Sequence, residues 1–355
     1  MNVLIIGAGA IGSLVGARLA TRHGSVTLAG RPRTVETVRE HGLYLEDESG
    51  RRRIEDIHVT GSLSDAFAQT KDAFDLAVLT VKSYDTAAAV NEFADAAERY
   101  GHTIPIVVSL QNGVGNEETL AARIGPERVI AGTITTPVSI PQPGVIRVDR
   151  PQYTVGLSDW QPGAPQPDAD TVRTLLAQAG FSATCYAHAR GMKWTKLLMN
   201  MAGNATSAIL GVPPDQVYAR NKMADLEIDA WREALRVMAA TGIPPQNIGS
   251  YPFKTLAPFI RFAPRRVLRP ILRKRIGKAR GGKMPSLYLD LESGKGRSEV
   301  EWLNGAVVSA GRAAGVATPV NQALTGTLLR LIDDPTQRAD WRENYARLAE
   351  AGAGA

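Results

Sequence analysis

Apolar positions in the first 110 residues fall in short unbroken runs rather than in alternation. Val3–Ile6, Val26–Gly30, Leu76–Thr80 and Ile104–Ser109 are too short for helices and too uniformly apolar for strands with one wet face. They predict buried strands of a parallel sheet. The Ala/Leu-rich stretch Ala10–Ala20 between the first two predicts a helix, and such alternation implies a doubly wound sheet with helices on both faces. Leu43 to Val59, around Ser49-Gly50, reads as a hairpin. Val129–Thr133 and the Pro/Gly-containing region through Gly156 read as short strands closing the sheet, and Asp168–Gly180 as a helix.

From Arg190 the period changes to 3.6 residues. Helices are predicted through Leu210, from about Asp215 to Ala240, and over Ser298–Ala314 and Thr318–Ile332. The small-residue tail Ala349–Ala355 is expected to fray, and Trp194 and Trp302 to sit in the core. The expected fold class is α/β: an N-terminal Rossmann-type doubly wound sheet over residues 1–187, plus a C-terminal all-helical domain over residues 188–355.

Composition changes the picture in two places. The single Cys185 excludes an intrachain disulfide and any multi-cysteine metal site, so no metal is expected and the thiol is read as a small core residue. With no secretory signal or membrane-length run in view, the expected location is cytoplasmic. The formal charge of +6 is local: eleven of the 41 Lys and Arg lie between Lys254 and Lys283 with no acid among them, which leaves 30 against 35 Asp and Glu elsewhere.

That basic insert, about 251–283, interleaves Leu256, Phe259, Ile260, Phe262, Val267, Leu268, Ile271 and Leu272 with its cations. Pro252, Pro258, Pro264 and Pro270 exclude one long regular helix. Three readings stay open. It packs on its own domain or a dimer partner with its cations solvated, which is favoured; it makes peripheral contact with an anionic membrane; or it binds a polyanion or acidic partner. Nucleic acid is the poorest of these, because only Phe259 and Phe262 offer stacking platforms.

The first strand runs into Gly7-Ala8-Gly9-Ala10-Ile11-Gly12, and the predicted strand–turn–helix context makes this G-x-G-x-x-G a dinucleotide-binding signal. Gly7 permits the tight bend, Gly9 a close backbone approach to a pyrophosphate, and Gly12 close helix–strand packing. The helix start at Ala10 and Ile11 then faces the phosphates. The second strand ends in Arg31-Pro32-Arg33, with no carboxylate before Glu36, so the expected cofactor is NADP(H), its 2′-phosphate paired with Arg31. The later strands end in Thr80-Val81-Lys82-Ser83 and Gln111-Asn112-Gly113-Val114-Gly115. In the helical part, Lys196, Asn200 and Asn204 stand at i, i+4 and i+8 and so share one face. By residue type alone, Arg31 and Arg33 also suit solvated charges, Asn112-Gly113 a turn, Glu299 a first-turn helix carboxylate and Ser286 a cap.

Val81-Lys82-Ser83, Gln111 to Gly115, Trp194 to Asn204 and Ser298-Glu299-Val300-Glu301-Trp302-Leu303-Asn304-Gly305, in this order, resemble the ketopantoate reductase family. The likeness covers nearly the whole chain except the insert. It implies that NADPH delivers hydride to the C2 carbonyl of a 2-oxo acid, 2-dehydropantoate becoming pantoate in pantothenate biosynthesis, while Lys196 protonates the oxygen. Lys193 does not match that position. By the same resemblance Glu299 helps hold the substrate and the lysine, and Lys82 and Asn112 serve the cofactor site. Asn112, Asn200, Asn204 and Ser286 then contact the substrate. A homodimer through the helical domain is compatible with this reading. Gly132-Thr133-Ile134-Thr135-Thr136-Pro137 departs from the family pattern, which keeps open a paralogous reductase of another oxo acid or imine. A non-catalytic dinucleotide sensor is the alternative from another class.

Overall fold

The computed structural model describes residues 1–23, 25–70, 72–163, 167–277 and 282–353. The chain divides into two units, residues 1–111 with 115–189, and residues 112–114 with 190–355.

The first unit is built on an eight-stranded sheet. Its strands are β1 (Val3–Ile6), β2 (Val26–Ala29), β5 (His58–Thr60), β6 (Leu76–Leu79), β7 (Ile106–Ser109), β8 (Val129–Ile134), β11 (Thr154–Asp159) and β12 (Ser182–Cys185), in the order β12-β11-β8-β7-β6-β1-β2-β5. β1 pairs in parallel with β2 on one side and β6 on the other, Val3 lying opposite both Val26 and Leu76. Successive residues of β1 point to opposite faces. Val3 and Ile5 enter a core with Leu14 and Leu28, while Leu4 and Ile6 enter a second core with Phe67 and Phe93. Helices therefore cover both faces, the doubly wound arrangement expected. Each of these fully buried side chains contributes about 1.5–3 kcal/mol.

Two expectations change here. The hairpin forms, as β3 (Leu43–Asp47) and β4 (Gly50–Ile54), but it belongs to a separate four-stranded sheet with β9 (Val138–Gln142) and β10 (Val145–Val148), ordered β4-β3-β10-β9. The region through Gly156 is thus shared between two sheets, and β11 returns antiparallel to β8. The alternation of buried Leu43 and Leu45 with partly exposed Tyr44 and Glu46 marks a one-sided sheet, and it rests on α1 (Ala10–His23). Cys185 lies exposed at the sheet edge rather than in the core, since β12 carries no apolar run. The helix Ala169–Gln178 forms as expected, with the Asp168 carboxylate accepting from the Thr171 amide.

The second unit is helical around one core containing Leu197, Leu198, Met223, Trp231, Leu324 and Leu328. Three helices expected to be continuous are broken. α7 (Ala189–Met201) is separated from α8 (Asn204–Leu210) by Gly203, whose φ of +65° a side chain rarely adopts. α9 (Pro214–Ala219) is separated from α10 (Asn221–Ala240) by extended Arg220. A one-turn helix, Glu299–Trp302, precedes Asn304–Ala313. Apolar periodicity runs across each break, because both pieces face the same core. Trp194 is buried there, whereas Trp302 is only partly buried. The tail is held rather than frayed through residue 353: Leu348 is buried, and Gly352 packs tightly on Leu226. Gly354 and Ala355 lie outside the described residues.

The basic insert forms α11 (Phe253–Phe262) and α12 (Arg265–Leu272). Pro252 and Pro264 precede the helices, while Pro258 and Pro270 sit inside them, each removing one amide donor. Phe253, Ala257, Ile260, Leu268 and Leu272 anchor it in the helical core. Its cations are not all solvated: Arg265 pairs with Asp229 and Arg269 with Asp225, one turn apart on α10, and Arg273 caps the Tyr218 and Ala219 carbonyls. Arg232 of α10 donates in return to the Ile260 and Ala263 carbonyls. Lys278 and Arg280 lie outside the described residues. Among the described residues no helix is long and apolar enough to cross a membrane.

Candidate active site

In the first unit the Gly-rich turn leaves the carboxyl end of β1. Gly7 has a φ of +111°, and a Cβ there would lie 2.9 Å from the Val81 amide nitrogen. A Cβ on Gly12 would run into the Gly7 carbonyl and the Thr80 hydroxyl, while one on Gly9 would meet nothing within 4 Å. Two glycines are therefore required by internal packing, and the third leaves its backbone open to a ligand. Thr80 fastens the turn to the next strand by donating to the Gly7 carbonyl at 2.8 Å. The Ser13 amide closes the first helical bond onto the Gly9 carbonyl, so the amides of Ala10, Ile11 and Gly12 have no acceptor within the helix and suit an anion.

The neighbouring strand ends frame this turn. Arg31 stands just before α2 (Pro32–His41), and its guanidinium lies 3.0 Å from the Asp85 carboxylate. Lys82 is partly buried at the start of the short turn Ser83–Asp85. Gln111, which the sequence offered only as part of a strand end, donates to the Val81 carbonyl at 2.9 Å and to the Thr86 hydroxyl at 2.7 Å. Thr86 in turn donates to the Asn116 side chain at 2.8 Å. These buried amides and hydroxyls satisfy one another and hold the loops after β6 and β7 in register.

In the second unit, residues 112–114 lie with the helices. The Val114 amide donates to the Trp302 carbonyl, and a Cβ on Gly113 (φ +80°) would come within 2.5 Å of that carbonyl oxygen. This places Asn112 beside the turn that begins at buried Glu299. Asn112 accepts from Asn200 at 2.9 Å. Asn204 donates to the Asn200 carbonyl at 3.1 Å and to the Ser286 hydroxyl at 3.3 Å, and accepts from the Leu287 amide. Four of the expected residues, Asn112, Asn200, Asn204 and Ser286, thus form one polar row. Lys196 stands one helical turn before Asn200 and is partly buried, while Lys193 is fully buried.

Lys196 and Asn200 share one face of α7, whereas Asn204 opens a new helix. It is Glu227 that brings Asn204 into the row. This buried carboxylate accepts from the Gly203 amide at 2.7 Å, from the Tyr218 hydroxyl at 3.0 Å and from the Thr206 hydroxyl, bracing the break between α7 and α8. Sequence reading passed over Glu227, although an acid on the apolar face of α10, between Met223 and Trp231, was the available signal.

The chain matches the family models for ketopantoate reductase PanE/ApbA over residues 3–161 and for its C-terminal domain over residues 188–331. It belongs to the ketopantoate reductase family. A 2-dehydropantoate 2-reductase of Halobacterium salinarum is 30% identical over 342 residues, covering 93% of this chain and 98% of that protein. A PanE/ApbA family ketopantoate reductase from Ralstonia eutropha JMP134 superposes with a TM-score of 0.78 at 29% identity, covering 95% and 100% of the two chains. A D-mandelate dehydrogenase solved with NADH and anilino(oxo)acetate also scores 0.78 with the same coverage, at 21% identity, and carries the fold alone. Like its family, this ketopantoate reductase homologue is an oxidoreductase acting on CH–OH groups, with the mixed α/β sheet domain and helical C-terminal domain of that fold.

Proposed function

We propose that this chain reduces a small 2-oxo acid with NADPH, 2-dehydropantoate becoming pantoate in pantothenate biosynthesis, with Lys196 as general acid. The observation carrying this reading is the polar row from Asn112 through Asn200 and Asn204 to Ser286, beside Lys196, in a chain of the ketopantoate reductase family. The dinucleotide would supply hydride. Residues 1–187 form the NADP-binding domain, where Gly7, Gly9, Ala10, Ile11 and Gly12 take the pyrophosphate, Arg31 the 2′-phosphate, and Lys82 and Asn112 organise the nicotinamide end. The open side of Gly9 and the free first-turn amides of α1 support that assignment.

Residues 188–355 form the substrate domain, which also offers the dimer interface. There Lys196 gives a proton to the developing alkoxide, Glu299 orients the lysine and replenishes the proton, and Asn112, Asn200, Asn204 and Ser286 hold the substrate's polar groups. The cytoplasm is the proposed location. Because part of its cation set is paired within α10, the insert reads as part of this domain ahead of a membrane or polyanion contact. Initial rates of NADPH and NADH oxidation with 2-dehydropantoate test the reading: rapid turnover with NADPH supports it, and an inert 2-dehydropantoate with another carbonyl turning over defeats it.

One observation favours a second substrate. Among the described residues the Thr133 and Thr136 hydroxyls, buried at the carboxyl end of β8 and just beyond it in the segment that departs from the family pattern, find no hydrogen-bond partner. A different oxo acid would supply those partners. A substrate panel compared between wild type and Thr136→Val distinguishes the two, since only a substrate contacting that hydroxyl loses selectivity.

A further inference from the structure

β1 is flanked by β2 and β6, so the carboxyl ends of its two neighbours stand about 10 Å apart across the origin of the Gly-rich turn, twice the usual strand spacing. Arg31 leaves the end of β2, and Asp85 follows the end of β6. Their side chains nevertheless meet at 3.0 Å. The end of β2 also sits tightly on the turn, because a Cβ on Gly30 would lie 2.5 Å from the Ala8 side chain. The ion pair therefore spans the mouth above Gly7–Gly9. Arg31 is 71% exposed and Asp85 25%, so the arginine is the arm and the aspartate the anchored end.

We infer that Asp85 is a specificity-determining residue for the cofactor: its carboxylate competes with the 2′-phosphate of NADP(H) for Arg31 and so narrows the preference for NADP(H) over NAD(H). The inference rests on the proposed placement of the 2′-phosphate at Arg31. A 2′-phosphate arriving there brings negative charge to a cation already neutralised, and either the Arg31–Asp85 pair opens or two anions share one guanidinium. NADH carries no such group and leaves the pair intact. Asp85 thus acts through Arg31, opposing one cofactor and indifferent to the other.

The test is fluorescence titration of NADPH and NADH on wild type, Asp85→Asn and Asp85→Ser, each also with Arg31→Ala. Calorimetric binding of 2′,5′-ADP against 5′-AMP serves as a readout that needs no turnover. Removing the charge is expected to tighten NADPH and 2′,5′-ADP about 2- to 5-fold, the scale of an exposed ion pair. NADH and 5′-AMP should move less than about twofold, and the gain should disappear in the Arg31→Ala background. Unchanged or weaker NADPH binding in both Asp85 variants overturns the inference, as does an equal gain for NADH or a gain that survives Arg31→Ala. If wild type binds 2′,5′-ADP no better than 5′-AMP, it is the placement of the 2′-phosphate that fails, independently of the change on Asp85 substitution.

Discussion

The turn at Gly7–Gly12 and the row at Asn112–Ser286 are built by opposite means. In the first, backbone shapes the turn: side chains are absent where Gly7 and Gly12 must pack and where Gly9 stays open, and the atoms they pack on belong to the turn itself and to Thr80 and Val81 just beyond β6. In the second, side-chain amides and hydroxyls separated by 82 and 88 positions hydrogen-bond to one another, and a buried carboxylate on a third helix sets their spacing. A backbone site tolerates change outside its glycines. A side-chain row depends on every element that aims it, so its second half is the more fragile to remote substitution.

The largest effect expected from breaking this contrast is at Lys196. Lys196→Ala should lower kcat by about 10²–10⁴-fold, the usual contribution of a positioned general acid. NADPH affinity should be nearly unchanged, since the proposed pyrophosphate contacts come from backbone amides of the Gly-rich turn. Stopped-flow turnover and cofactor titration check both parts, and an unaltered kcat would remove Lys196 from the chemistry. Glu227→Ala comes next: with the Gly203 amide and the Tyr218 and Thr206 hydroxyls left unsatisfied, a loss of about 2–4 kcal/mol in urea unfolding is expected, together with weaker substrate binding through misplaced Asn204. Glu227→Ala equal to wild type in both measurements would mean that the break between α7 and α8 holds itself.

Gly113→Ala tests a glycine on which the second region depends. With φ at +80° and the Trp302 carbonyl in the way, about 1–3 kcal/mol of strain is expected, seen as a lowered Tm and a raised substrate KM. The smallest effect concerns Glu233, buried at the start of the helix Pro319–Asp333. Burial pushes its carboxyl pKa up, against the bonds it accepts from the Asn321 and Val320 amides and the Asn321 side chain. A raised carboxylate contributes stability below the ordinary Glu pKa and loses it as the pH climbs through the raised value. Glu233→Gln should therefore flatten that part of the stability–pH curve, and denaturant midpoints across it would expose a failure.

Legibility in the sequence followed the same division. β1, β2, β6 and β7 read directly, because a buried parallel strand is a run of apolar residues bounded by breakers, and both signals are local. β12 did not: Ser182–Cys185 is an exposed edge held by pairing with β11. The second sheet is not legible because β10 pairs with β3, Val145 lying opposite Tyr44, and carries β9 along as its own hairpin partner, and pairing partners leave no mark in either segment. Spacing and resemblance point to Lys196, Asn200, Asn204 and Asn112, the last three of which the structure hydrogen-bonds into one row, whereas no local signal pairs Glu227, Gln111 or Asp85 with partners distant in sequence. The basic insert shows the same limit. Its charge was countable, but the match of Arg265 and Arg269 to Asp229 and Asp225 required knowing that α12 lies on α10.

The sequence by itself determined what local physics decides: the doubly wound start, the glycine geometry of its turn, the change to helical periodicity near residue 190, and the residue types available for catalysis. Tertiary structure decided where periodic helices break, which sheet each short strand joins, which cations of the insert are neutralised, and that Arg31 is already held by Asp85. Those outcomes depend on hydrogen bonds and ion pairs between elements, whose free energy exists only when distant segments are folded together.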